Sequence, residues 1–127
     1  MSELDDLLRP RPSPSVLGTL AYLLFGPIVW AVQFTVVYAS HTLVCSQDGS
    51  ALLGDGIVIG SSVASAAAIV VFLLLPEAFA RGLGLTRGMD ARPAYLRIAR
   101  IGAVLGLVAV TWIGTTALIV DACAQAR

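Results

Sequence analysis

A chain of 127 residues has room for one domain. Only 13% of the residues are charged and 57% are hydrophobic, against the ~25% charged residues of a typical soluble domain. The apolar residues also gather into long unbroken stretches, so the solvent is lipid rather than water. The formal net charge is zero, which leaves no basic field to attract nucleic acid.

Residues 1–16 form a polar lead-in. Leu4, Leu7 and Leu8 stand at helical spacing, and the alternating prolines of residues 9–15 favour a stiff extended strap. Glu3, Asp5 and Asp6 make this start acidic where a secretory signal is basic, so the first apolar segment is expected to remain in the mature protein. Ser15 is placed to cap the helix that follows. That helix is the first span, residues 17–45, longer than the ~20 residues needed to cross a bilayer. Gly26-Pro27 offers it a kink, because proline removes one intrahelical hydrogen bond. A polar loop at 46–50 breaks the pattern.

The second span, residues 52–76, is rich in small residues in its first half, bulky in its second, and closed by Pro76. An arginine-rich connection, 81–97, leads to the third span, residues 98–121. Gly56 and Gly60 in the second span and Gly102 and Gly106 in the third have G-x-x-x-G spacing, which lets helices approach closely within this chain or against another subunit. Glu77 and Arg81, four residues apart, are placed to pair. The expected fold is a single all-α membrane domain of three transmembrane helices.

Arginine placement gives an orientation. Arg81, Arg87, Arg92 and Arg97 fall in the connection between spans two and three with Arg100 at its end, and Arg9 and Arg11 precede span one. With three spans these regions share a side, opposed by Arg127 alone. The positive side is the cytoplasm, which puts the N-terminus inside and the C-terminus outside, meaning the periplasm if the membrane is the inner membrane of a Gram-negative bacterium, the localisation expected here.

Along the first span, Trp30, Gln33, Phe34, Val37, His41 and Cys45 recur at three- and four-residue steps, with Tyr38 at the edge of the stripe. Polar groups in lipid need partners, so Gln33 and His41 are expected to face protein. A metal site wants three or four ligands, and one histidine with two cysteines does not supply them; a bis-histidine haem would need a second chain. No metal or cofactor is therefore expected. Cys45 and Cys123 both fall at the outer, oxidising face, where a disulfide between them is permitted; two free thiols in a helix interface is the alternative. Asp48, Asp55 and Asp121 solvate the outer loops, or form a docking surface for a basic redox protein such as cytochrome c. The chain has no P-loop, H-E-x-x-H, C-x-x-C-H or lysine, and no carboxylate in the middle of a span. No catalytic residue is expected.

The run Gly26-Pro27-Ile28-Val29-Trp30-Ala31-Val32-Gln33-Phe34-Thr35-Val36-Val37-Tyr38, followed by His41 and Cys45, resembles the first helix of small proteobacterial membrane proteins. Those helices read P-x-x-W-x-x-(H/Q)-F-x-x-x-Y, then Cys seven residues on, and the proteins tend to be encoded beside subunits or assembly factors of aa3/caa3-type cytochrome c oxidases. The match covers about twenty residues, the three-helix plan and the late cysteine. It implies a non-catalytic accessory subunit of a haem-copper oxidase, with Trp30, Gln33, Phe34, Tyr38 and His41 lining a partner or intrachain interface. Gln33 departs from the histidine of many relatives, which speaks for a structural hydrogen bond there. The alternatives are a transient assembly factor for the oxidase and a homo-oligomeric transporter or pore.

Overall fold

The computed structural model describes residues 15–46, 51–85 and 92–119. It is all-helical over that range: α1 (Val16–Leu23), α2 (Phe25–Ser46), α3 (Ala51–Leu74), α4 (Pro76–Gly82) and α5 (Arg92–Ile119). Three of these contain stretches long and apolar enough to cross a membrane: Phe25–Val44, Leu52–Leu74 and Pro93–Ala117. Each of α2, α3 and α5 packs against the other two, giving a three-helix bundle built as a multi-pass membrane protein. Only 17%, 17% and 22% of the three apolar stretches is buried within the chain, so most of each helix faces lipid or another protein.

The surface chemistry fits lipid. Thr35, Thr42, Thr111, Thr115 and Thr116 are exposed, yet every hydroxyl turns back onto a carbonyl three or four residues earlier in its own helix, at 2.9–3.0 Å. Such back-bonding satisfies a hydroxyl where no water is at hand.

Ser15 caps α1, its Oγ accepting from the Gly18 N–H at 3.1 Å. The first span then breaks at Leu24 (φ −97°, ψ 12°), about one turn ahead of the Gly26-Pro27 pair expected to kink it. Pro27 has no N–H to give the carbonyl four residues back, so the ladder fails at Leu23 rather than at the proline itself. Regular bonding resumes with the Ile28 N–H on the Leu24 carbonyl, 2.8 Å.

The second span ends at Leu74, and Pro76 opens α4 at a position where its missing N–H costs nothing. Arg81 Nε donates to the Glu77 carbonyl at 3.3 Å. Helix α4 closes through Gly84 (φ 72°), with Gly84 N–H on the Arg81 carbonyl (3.1 Å) and Leu85 N–H on the Ala80 carbonyl (2.8 Å). This 5→2 and 6→1 pair needs a left-handed residue, which glycine adopts without a Cβ clash. Helix α5 starts at Arg92, six residues before the third span was expected to begin, so Arg97 is helical rather than part of the loop.

At this end Phe72 is fully buried among Phe25 (stacked, centroids 4.5 Å), Phe79 (5.2 Å) and Tyr22 (5.3 Å). The four rings tie α1 and α4 to the bundle, each pair adding ~1 kcal/mol beyond its buried area.

Candidate functional site

Two features could carry function: a polar contact at the centre of the bundle and the outward faces of α2 and α3. The first is Gln33, 1% exposed. Its Nε2 donates to Ser62 Oγ of α3 at 2.8 Å and to the Val110 carbonyl of α5 at 3.4 Å. Three helices therefore meet on one amide, and Gln33 and Ser62 both fall at the middle of their apolar stretches. Ser62 has room because Gly114 faces it; a Cβ on Gly114 would lie 2.9 Å from Ser62 Oγ. The Gln33 Oε1 is buried without a hydrogen-bond partner, which costs roughly 1–3 kcal/mol.

The residues of the first-span stripe divide between two sides. Gln33 and Val37 face inward, as does Ser40 outside the stripe. Trp30, Phe34 and Tyr38 are 38%, 50% and 66% exposed and form a ladder, with centroids 6.0 Å and 6.4 Å apart at successive steps. A stripe spaced at three and four residues spans about 100° of a helix, and here the edge of the bundle runs through it. His41 is half-buried near the far end of α2.

The two G-x-x-x-G pairs also separate. Gly102 and Gly106 are taken up inside the chain, where α5 crosses α2 backbone to backbone. A Cβ on Gly106 would lie 2.8 Å from the Gly26 carbonyl carbon and oxygen and 2.9 Å from its Cα. A Cβ on Gly26 would run into the Gly102 carbonyl oxygen and lie 2.7 Å from Ala103 Cα. The Leu23 carbonyl, left without its helical donor by Pro27, sits 3.4 Å from where a Gly102 Cβ would be. That approach suits the weak Cα–H···O contacts of close helix crossings. Gly56 and Gly60, by contrast, have nothing within 4 Å of an added Cβ, and both are exposed on α3.

Two shallow grooves flank these crossings. One, of about 280 Å³, lies between α2 and α5 and is lined by Pro27, Trp30, Leu105, Gly106 and Ala109. The other, of about 260 Å³, lies between α3 and α5, with Ser62 and Thr111 among its lining residues.

Arg81, Arg97 and Arg100 are exposed, as is Asp55. Arg87, the Arg92 side chain, Asp48 and Asp121 lie outside the described residues, and so do both halves of the expected disulfide, the Cys45 side chain and Cys123. Among the described residues no three His, Cys, Asp or Glu side chains gather as metal ligands would. The inner aromatic cluster and the Gln33–Ser62 contact were not predictable as pairs, since each joins residues of different helices. Comparison of the chain with known protein families, with curated proteins and with solved structures finds no match.

Proposed function

We propose that this chain is a non-catalytic accessory subunit of a respiratory membrane complex, docking through the Trp30–Phe34–Tyr38 ladder. The observation that carries the reading is the position of that ladder. Trp30 stands three residues from Gln33 and hence deep in the hydrocarbon, whereas tryptophan normally sits at the interface where its N–H meets water. Among the described residues neither Trp30 Nε1 nor the Tyr38 hydroxyl has a hydrogen-bond partner. Lipid chains offer no acceptor at that depth; a neighbouring transmembrane helix does, through a side chain or a freed carbonyl. The resemblance of the first span favours a haem-copper cytochrome c oxidase as the complex. Arginine placement favours the N-terminus in the cytoplasm and the C-terminus outside, and the resemblance favours a bacterial inner membrane.

The test is purification in mild detergent through a tag after Arg127, with a reduced-minus-oxidised haem spectrum of the eluate. Stoichiometric large oxidase subunits with haem a bands support the reading. Oxidase that is purified without this chain, and whose cellular level falls when the gene is deleted, points instead to a transient assembly factor.

A second reading, a homo-oligomeric transporter or pore, draws on the outward Gly56–Gly60 face. Among the described residues the exposed threonines turn their hydroxyls back onto their own helices and offer none to a polar path, which counts against it. A monomeric mass in mild detergent would dispose of it.

A further inference from the structure

The arginine-bearing end of α5 has a second outward feature, separate from the upper part of the ladder. Arg97 and Arg100 are exposed, and among the described residues neither has a hydrogen-bond or ion-pair partner. Val110 is level with Gln33 at the bundle's middle. From it, Arg100 is ten residues and Arg97 thirteen residues down α5, which is ~15 Å and ~20 Å at 1.5 Å per residue. Half the hydrocarbon thickness is ~15 Å, so Arg100 leaves the helix at the hydrocarbon edge and Arg97 within the headgroup layer, both within a side chain's reach of the lipid phosphates.

Arg97, Ile101 and Leu105 follow one another at four-residue steps, all exposed, as do Arg100, Val104 and Val108. Leu105 is also the rim of the groove that Pro27, Trp30, Gly106 and Ala109 complete. The groove is shallow and apolar because Gly106 draws the two backbones together beneath it. Along the axis it lies ~12–18 Å from Arg97, the depth reached by the acyl chains of a single leaflet.

We propose that this face binds one anionic phospholipid, its phosphate held by Arg97 and Arg100 and one acyl chain laid over Ile101 and Leu105 into the groove beside Trp30. Charge complementarity and depth together select this occupant. A partner helix would compensate two guanidiniums only by bringing carboxylates to the headgroup level, whereas an anionic lipid places its phosphate there already, and a zwitterionic lipid carries its own cation against its phosphate. The inference rests on the membrane reading of the three helices and not on the respiratory complex.

The probe is quenching of Trp30. The whole chain with Trp112→Phe, which leaves Trp30 as the only tryptophan, is reconstituted into phosphatidylcholine vesicles. These contain equal mole fractions of brominated-chain phosphatidylglycerol or brominated-chain phosphatidylcholine. At low salt the anionic lipid is expected to quench with a relative binding constant of about five-fold or more, since each arginine near a surface contributes ~five-fold. The preference should fall toward unity at 1 M salt, where the screening length is ~3 Å. Arg97→Gln/Arg100→Gln should abolish it. Ala109→Leu, which fills the groove and leaves the charges alone, should bring the anionic lipid down to the level of phosphatidylcholine. Equal quenching by both lipids at low salt overturns the proposal. So does a preference that survives high salt, or one that survives Ala109→Leu; the salt series needs no arginine variant that must fold.

Discussion

Adding one methyl group at Gly106 should have the opposite effect to adding it at Gly60, although the two glycines carry the same sequence motif. At Gly106 the new Cβ would sit 2.8–2.9 Å from three backbone atoms of Gly26, well inside the ~3.5–4.0 Å of an optimal carbon contact. Backbone cannot rotate away as a side chain can, so α2 and α5 must move apart. Overpacking of this kind costs about 1–3 kcal/mol, offset by up to ~1 kcal/mol of helix propensity gained over glycine. Because all three near atoms are backbone the cost falls in the upper part of that range, ~2–3 kcal/mol, and the expected net loss is ~1–2 kcal/mol for Gly106→Ala. Gly26→Ala should lose more, because its Cβ meets the Gly102 carbonyl and Ala103 Cα. At Gly60 nothing stands within 4 Å, so Gly60→Ala should be neutral or more stable by up to ~1 kcal/mol. The assay is equilibrium unfolding in mixed micelles titrated with sodium dodecyl sulfate, followed by far-ultraviolet circular dichroism. A Gly106→Ala protein as stable as the parent would refute the close crossing. A Gly60→Ala protein destabilised by the same amount would refute the assignment of that face to the outside.

Gln33→Leu keeps the volume, removes two hydrogen bonds averaging ~0.6 kcal/mol each in membrane proteins, and removes the orphaned Oε1 worth roughly 1–3 kcal/mol; the same titration should find it within ~1 kcal/mol of the parent. Gln33→Ala leaves a void at the crossing and should cost ~2 kcal/mol or more, so equal losses for the two variants would contradict this account of the centre. Replacing Trp30, Phe34 and Tyr38 together with leucine should leave the unfolding midpoint almost unchanged, because all three are exposed, and should release the partner complex on purification. Thiol alkylation of the unreduced protein should leave Cys45 and Cys123 unlabelled, and full labelling of both would exclude the disulfide.

The three spans were legible because lipid imposes long apolar runs that few other structures need. Finer features were not, for reasons visible in single residues. The break in the first span falls at Leu24 because Pro27 acts on a carbonyl four residues earlier. The two glycine pairs read alike, since spacing records what a helix can approach and not what lies across from it; only the Gly26 backbone distinguishes Gly106 from Gly60. Gln33 and Trp30 share a stripe in sequence, yet three residues on a helix differ by about 60° in direction, enough to send one to the centre and the other to the surface. Arg97 read as loop because charge normally ends a span, whereas long arginine side chains let a helix run on into the headgroup region. The ring cluster of Tyr22, Phe25, Phe72 and Phe79 joins residues far apart in the chain, a pairing that no local pattern encodes.

The most direct measurement is the mild-detergent purification through a tag after Arg127, run in parallel for the parent and for the Trp30→Leu/Phe34→Leu/Tyr38→Leu protein. Haem a bands and the large oxidase subunits are expected with the parent, and neither with the triple variant at equal yield of this chain. A haem-free eluate containing this chain alone in both preparations would contradict the subunit reading.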